Sequence, residues 1–297
     1  MKISTSLDHA VKIDGATYRE SARMMKQAGF DGVDFSLCHD QESPEKQLAP
    51  AWMEDVRLRS EALRAEGLEV AQSHLPYVGS HIELPGGRGY NVFEAFALPG
   101  LRHALEACGE IGCHLAVMHP YFNLDSRRET REGNLRLVEK LMPLLEKYDV
   151  RLALENIWGI SRTEAGMNYL DTGTTRGEDI LSLIDEIDSD RVGACIDTGH
   201  ANIFRLDVAA MARLYGKKLF ALHVNGNAGQ DEHVIPYTMS GWCERLDYHA
   251  FSAALKEIGF TGYYNLEISS GNLPKGLAQP FLNYAAAVAR ALADLAT

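Results

Sequence analysis

The 297-residue sequence predicts a single-domain α/β protein, a (β/α)8 TIM barrel over residues 1–297, and three observations carry that expectation. Eight short apolar runs of strand composition alternate with eight helical stretches, with no linker or shift in composition between them. Glycine ends the helical stretch ahead of the second, third, fourth and eighth strands, as Gly29, Gly67, Gly112 and Gly259, where a helix C-terminus favours it. The competing fold, an open doubly wound sheet, normally carries a glycine-rich phosphate loop after its first strand. Here that position reads LDHAVKIDG, which is no such loop.

Each element has its own local reason. Residues 2–7 form the first strand, and a helix over 17–28 ends at Gly29. DGVDFS (31–36) alternates as the second strand, and a long helix over 50–66 ends at Gly67. LEVAQSH (68–74) is the third strand. A Pro- and Gly-rich loop over 75–91 leads into a helix that closes at Gly112. HLAVMH (114–119) is the fourth strand, stopped by Pro120, and residues 127–148 are helical. VRLALE (150–155) is the fifth strand; Gly, Thr and Asn mark 156–177 as a loop, and 178–187 as a short helix follows. VGACID is an apolar run of the kind buried in a parallel sheet. It forms the sixth strand and ends abruptly in Asp197, with His200 on the turn beyond, before a helix near 207–215. KLFALH (218–223) is the seventh strand, followed by a loop over 224–245 and a helix over 248–258; YYNLE (263–267) is the eighth, and an Ala-rich helix over 278–295 closes the chain.

Net charge is −12 with a pI near 5.4, which argues against a broad nucleic-acid or anionic-membrane footprint. Arg127, Arg128 and Arg131 are the one tight basic cluster, and Glu129 and Glu132 interrupt it. No apolar run is long enough to cross a bilayer and the N-terminus has no signal-like apolar region. The five cysteines (Cys38, Cys108, Cys113, Cys195, Cys243) are scattered without CxxC spacing. The expectation is reduced thiols and a cytoplasmic location, with Cys195 a small buried hydrophobe.

Function is concentrated at the strand ends. Six consecutive predicted strands finish in His74, His119, Glu155, Asp197, His223 and Glu267, while His200, Asp231 and His233 follow in the adjoining turns. Taken singly, each has an ordinary explanation: a hydrogen-bonded His, a Glu paired with Arg, an Asp capping a turn. In a barrel, however, all strand ends meet at one face, with neighbouring strands ~4.8 Å apart. Carboxylates and imidazoles crowded this way repel or stay unpaired unless a cation joins them. The expectation is a divalent metal centre, with Asp34, Trp52, Tyr77 and Trp158 as candidates to line a pocket beside it.

The ordered set HLPY at His74, MHP at His119, LALENI at Glu155, CIDTGHAN at Asp197, ALHVNGN at His223, DEH at Asp231 and NLEIS at Glu267 resembles the xylose isomerase-like TIM barrel superfamily. That superfamily includes ketose 3-epimerases, hydroxypyruvate isomerases, inosose-processing enzymes and endonuclease IV. The resemblance implies that Glu155, Asp197, His223 and Glu267 hold one divalent ion (Mn2+, Co2+, Mg2+ or Zn2+). It implies that Glu155 and Glu267 exchange protons with the substrate, and that His200 contacts the sugar. The implied activity is isomerisation or epimerisation of a small sugar, keto-sugar or polyol derivative through an enediolate.

Two positions depart from the epimerase pattern. An Arg six residues past the strand-seven His is replaced by Gly229, and the DxH motif is followed by Pro236-Tyr237 rather than Pro-Gly. All nine ligand types of the endonuclease IV three-zinc site also have counterparts, in His74, His119, Glu155, Asp197, His200, His223, Asp231, His233 and Glu267, which makes a zinc phosphodiester hydrolase the alternative. A non-catalytic metal- or sugar-binding relative is a third reading. The expected partner is a small carbohydrate, with no nucleic acid and no membrane; the exposed helices of a barrel leave room for a homo-oligomer.

Overall fold

The structure is a computed structural model, and it describes residues 1–38, 48–77, 89–163, 166–238 and 245–297. The described strands are β1 (Ile3–Ser6), β2 (Gly32–Ser36), β3 (Glu69–His74), β4 (Leu115–Met118), β5 (Arg151–Glu155), β6 (Trp158–Thr163), β7 (Gly166–Asp171), β8 (Val192–Asp197), β9 (Leu219–His223) and β10 (Tyr264–Leu266). The helices are α1 (Asp8–Asp14), α2 (Tyr18–Ala28), α3 (Pro50–Glu66), α4 (Tyr90–Ile111), α5 (Arg127–Lys147), α6 (Gly177–Ile187), α7 (Thr198–Ile203), α8 (Val208–Tyr215), α9 (Tyr248–Ile258) and α10 (Ala278–Leu295).

Eight strands pair in the order β10-β1-β2-β3-β4-β5-β8-β9, every pair parallel. The ends meet just past β9 and β10: Val224 N–H donates to Asn265 O at 2.9 Å, and Glu267 N–H to Val224 O at 3.2 Å. This is the expected (β/α)8 barrel. The four glycines expected to end helices do so in the left-handed region, at φ 99°, 65°, 74° and 63° for Gly29, Gly67, Gly112 and Gly259. A side chain there would be strained.

Three elements differ from the sequence reading. The expected loop over 156–177 contains an antiparallel hairpin, β6–β7, apart from the barrel sheet. Its Gly, Asn and Thr content suggested loop, and the described residues of the hairpin show no strict alternation of buried and exposed positions. Residues 166–168 are exposed. Two short helices, α1 and α7, begin directly at strand ends. Both are shorter than the two turns needed for an apolar period to show.

Hydrophobic burial falls into two unequal parts. The large core lies between the barrel and its helices, with Phe30, Phe35, Trp52, Phe251 and Tyr264 among its bulkiest members. Trp52 packs there against His103 of α4, with ring centroids 4.9 Å apart. It is a wedge between helices and does not line a pocket at the mouth. A small second core of Leu115, Val117, Ala153, Cys195 and Ala221 fills the barrel itself. Side chains two apart on a strand share a face. Ala153, Cys195 and Ala221 therefore send Glu155, Asp197 and His223 into the same interior, one step nearer the C-terminal rim. Cys195 is the inert buried residue expected; Cys38, Cys108 and Cys113 are also free thiols, and Cys243 lies outside the described residues.

Candidate metal centre

Glu155, Asp197, His223 and Glu267 each offer a ligand atom within 4.8 Å of all the others. Glu155, Asp197 and His223 are fully buried; the Glu267 side chain is 28% exposed and forms the edge open to solvent. His223 Nδ1 lies 3.1 Å from Glu155 Oε2 and 3.3 Å from Glu267 Oε2. Among the described residues neither Glu155 oxygen accepts a hydrogen bond, and the same holds for Glu267 Oε2. A buried and a half-buried carboxylate that share the His223 imidazole, with no hydrogen bond from the described residues to these oxygens, leave charge that a cation would balance. The donor set therefore fits a divalent ion.

The remaining predicted residues gather around this group. His74, at the end of β3, and His119, just past β4, converge on Glu155 Oε2 at 3.5 and 3.4 Å, with their Nε2 atoms 3.3 Å apart. His200, on α7, places Nδ1 3.2 Å from Glu155 Oε1 and Nε2 3.4 Å from Asp231 Oδ1. His233 contacts Asp231 Oδ1 at 2.8 Å and Glu267 Oε2 at 3.3 Å. Tyr77 packs its ring against His74 and His119, at centroid distances of 5.3 and 4.5 Å. Trp158 meets His200 edge-on at 6.1 Å and Tyr169 at 4.9 Å. The hairpin that the sequence reading missed is thus one wall of the site, and Tyr169 Oη accepts the Asp231 N–H at 2.9 Å. Gly229 and Tyr237 both adopt positive φ in the loop after β9, outside this cluster.

Electrostatics follow from this crowding. Burial would push the Glu155 carboxyl up, but His223 and His119 outweigh it and hold the group well below the carboxylate range. Glu267 is held down in the same way by His223 and His233, against its burial. Burial opposes charging of His223, yet Glu267 and Glu155 raise it well above the ordinary imidazole value. Burial dominates at Asp197, which is pushed up to about 7. Burial also lowers His119.

Asp197 also plays the part its singular reading suggested. Its Oδ1 accepts the His200 N–H at 2.6 Å and caps α7, while Oδ2 accepts from Asn225 Nδ2 at 2.9 Å. Asn156 Nδ2 donates to Asp197 O at 3.0 Å and Asn156 Oδ1 accepts the Asp197 N–H at 2.9 Å, tying β5 to β8 at the rim. The sequence reading singled out none of these asparagines. Their signal was adjacency: Asn156 directly follows one proposed ligand and Asn225 is two past another. Gln72 and Asn265, the donors to Asp34 Oδ2, have a subtler one, while Asp34 itself was among the pocket candidates. Gln72 and Asn265 stand two residues before His74 and Glu267, so each is a polar residue on an inward face that is apolar on β4, β5, β8 and β9.

The profile of the xylose isomerase-like TIM barrel family matches residues 22–292, and the chain belongs to that family. A structure of L-ribulose 3-epimerase superposes with a TM-score of 0.73 at 17% identity, over 100% of this chain and 96% of that one. At this identity the likeness speaks for the fold. The inosose isomerase of Bacillus subtilis is 22% identical over 173 residues, 55% of this chain and 57% of that protein. A probable endonuclease 4 of Mycoplasmopsis pulmonis is 26% identical over 106 residues, 35% of each chain. The chain thus spans little more than half the length of the isomerase it matches.

Proposed function

We propose that the protein is a divalent-metal-dependent isomerase or epimerase of a small sugar, keto-sugar or polyol derivative. The observation that carries this reading is the pair Glu155 and Glu267. They come from strands that are not neighbours, yet both reach one imidazole, with oxygens that none of the described residues hydrogen-bonds. Inosose isomerase and L-ribulose 3-epimerase, proteins to which the chain is similar, act on substrates of this class by name.

Glu155, Asp197, His223 and Glu267 would hold the ion. When bound, it would draw electron density from a substrate carbonyl and favour the enediolate form. The chain's own residues supply the rest. One glutamate accepts the proton of the C–H next to the carbonyl; a proton is then returned to the enediolate, by the same carboxyl in an isomerisation or by the other, after it has taken one from solvent, in an epimerisation. His200 is fixed for contact with a hydroxyl, because its Nδ1 is held by Asn156 O at 2.9 Å and its N–H by Asp197. Tyr77 and Trp158 close the flanks and exclude water. Incubation with a panel of ketoses and inososes in deuterated water, with Mn2+ or Co2+, is expected to place deuterium on the carbon next to the carbonyl. No exchange across the panel counts against this reading.

A specific observation keeps the hydrolase reading as the second one. His74, His119 and Glu155 form a further potential ion site, and Asp197, His200 and His233 another. Two or three bound zinc ions and chelator-sensitive cleavage of abasic-site DNA would favour a phosphodiester hydrolase. The surface charge speaks for the first reading. Arg127 pairs with Asp171 at 3.0 Å, Arg128 with Glu132 at 3.8 Å, and Arg131 with Glu186, so the basic cluster is largely neutralised within the protein. Nucleic-acid binding needs such cations free to meet phosphates.

A further inference from the structure

We infer that Asp34 is a positioning residue for the centre: from inside the barrel it fixes His223 with Nε2–H turned away, so that Nδ1 faces the two glutamates. The inference rests on the metal-binding part of the reading above. Asp34 Oδ2 lies 3.2 Å from His223 Nε2, a charge contact without hydrogen-bond geometry, on the side of the ring opposite Glu155 and Glu267. The carboxylate is 7% exposed and belongs to none of the groups able to share an ion among the described residues.

Its partners determine its role. Gln72 Nε2 donates to Asp34 Oδ2 at 2.9 Å and Asn265 Nδ2 donates to the same oxygen at 2.8 Å. The Asn265 amide is oriented by Ser4, whose hydroxyl donates to Asn265 Oδ1 at 2.8 Å. Gln72 also donates to Leu222 O at 3.4 Å, which ties the clamp to the residue preceding His223. An ionised carboxylate has no proton to give, so the group that faces it most favourably is an N–H rather than a lone pair. His223 therefore presents Nε2–H to Asp34, and its Nδ1 lone pair is left for a cation. A carboxylate behind a ligating imidazole fixes its tautomer and raises its basicity.

The backbone is built for this contact. The β2–β3 register shifts between Val33 and Asp34, so that Asp34 comes opposite Gln72. A shift of this kind re-aims a side chain. Ser4, Asp34, Gln72 and Asn265 thus form a buried polar layer across β1, β2, β3 and β10, opposite the apolar layer of Ala153, Cys195 and Ala221.

Asp34→Asn keeps the shape and removes the charge. The expected result is an affinity for Co2+ and Zn2+, by calorimetry, about 10–100-fold weaker than wild type. In the Zn2+-loaded, histidine-labelled protein, the Nε2–H resonance of His223 is expected to be sharp in wild type and shifted or lost in D34N. If D34N fails to fold, Gln72→Met, which removes one clamp and keeps the bulk, is expected to weaken affinity several-fold and broaden the same resonance. Wild-type affinity and an unchanged resonance in the folded variant overturn the inference, as does a wild-type protein that binds neither ion. Weakened binding in D34N together with no deuterium exchange by wild type would sink the proposed isomerase activity and leave the role of Asp34 standing.

Discussion

Glu155 touches four histidines, and among the described residues no hydrogen bond occupies its oxygens. Replacing it or Glu267 with Gln removes a proton acceptor while keeping the side chain's size. Each single variant is expected to lower turnover by about 10^2–10^4-fold, read as the rate of deuterium exchange. Near-normal rates in both would contradict a mechanism built on two carboxylates. A second prediction at this scale concerns His9, outside the centre. Its ring is buried against Phe281, its Nε2 lies 3.1 Å from Thr5 Oγ1, and burial pushes it down to about 3, assisted by Lys12. Between that value and the ~6.5 of a free imidazole, the unfolded chain binds a proton that the folded protein does not. Stability is therefore lost as pH falls from about 6.5 toward 3. The difference in urea midpoint between pH 8 and pH 5 is expected to be smaller in His9→Gln than in wild type; an equal difference would rule out this source of acid sensitivity.

At the scale of elements, the βα turn after β8 carries the tightest fit. Thr198 Oγ1 donates to Asn225 O at 2.6 Å and accepts the Asn225 N–H at 2.9 Å; Asn227 Nδ2 donates to Gly199 O at 2.9 Å. These bonds join α7 to the segment after β9, so the strand ends carrying Asp197 and His223 are held together. A Cβ on Gly199 would sit 1.9 Å from Asn225 Oδ1 and 2.9 Å from Asn227 Nδ2. Gly199→Ala must therefore displace Asn225, the donor to Asp197. The expected cost is about 1–3 kcal/mol of stability by urea denaturation, together with weaker Co2+ binding. A fully stable variant with unchanged affinity would show that the latch yields more easily than its packing implies. The hairpin β6–β7 acts at the same scale: it brings Trp158 against His200 and Tyr169 against the Asp231 backbone, linking two loops that are distant in the chain.

For the whole molecule, the centre gathers Glu155, Asp197, Glu267 and Asp231, and among the described residues the counter-charges in contact with them are imidazoles. A cation bound there stabilises the fold by mass action, about 2.7 kcal/mol at a concentration 100 times its dissociation constant. The unfolding temperature is expected to rise with Mn2+ or Co2+ and fall on addition of a chelator. A transition indifferent to both would argue that the cluster holds no ion. Among the described residues no helix is long and apolar enough to cross a membrane.

The alternation of strand and helix, the glycine stops, and the run of ligand-type residues at successive strand ends are all written in local sequence, because period, capping and strand termination are properties of a few neighbouring residues. Helices at Pro50–Glu66, Tyr248–Ile258 and Ala278–Leu295 fall on the residues expected. Closure of the cylinder, the wall formed by β6–β7, and the inward turn of Asp34 depend on contacts between residues far apart in the chain. Asp34 and Asn265 are separated by 231 positions, and no local pattern states that their strands flank β1. Trp52 shows the converse: an aromatic residue that could have lined a mouth is placed between helices, because the side of the barrel each helix covers is decided by how the strands close.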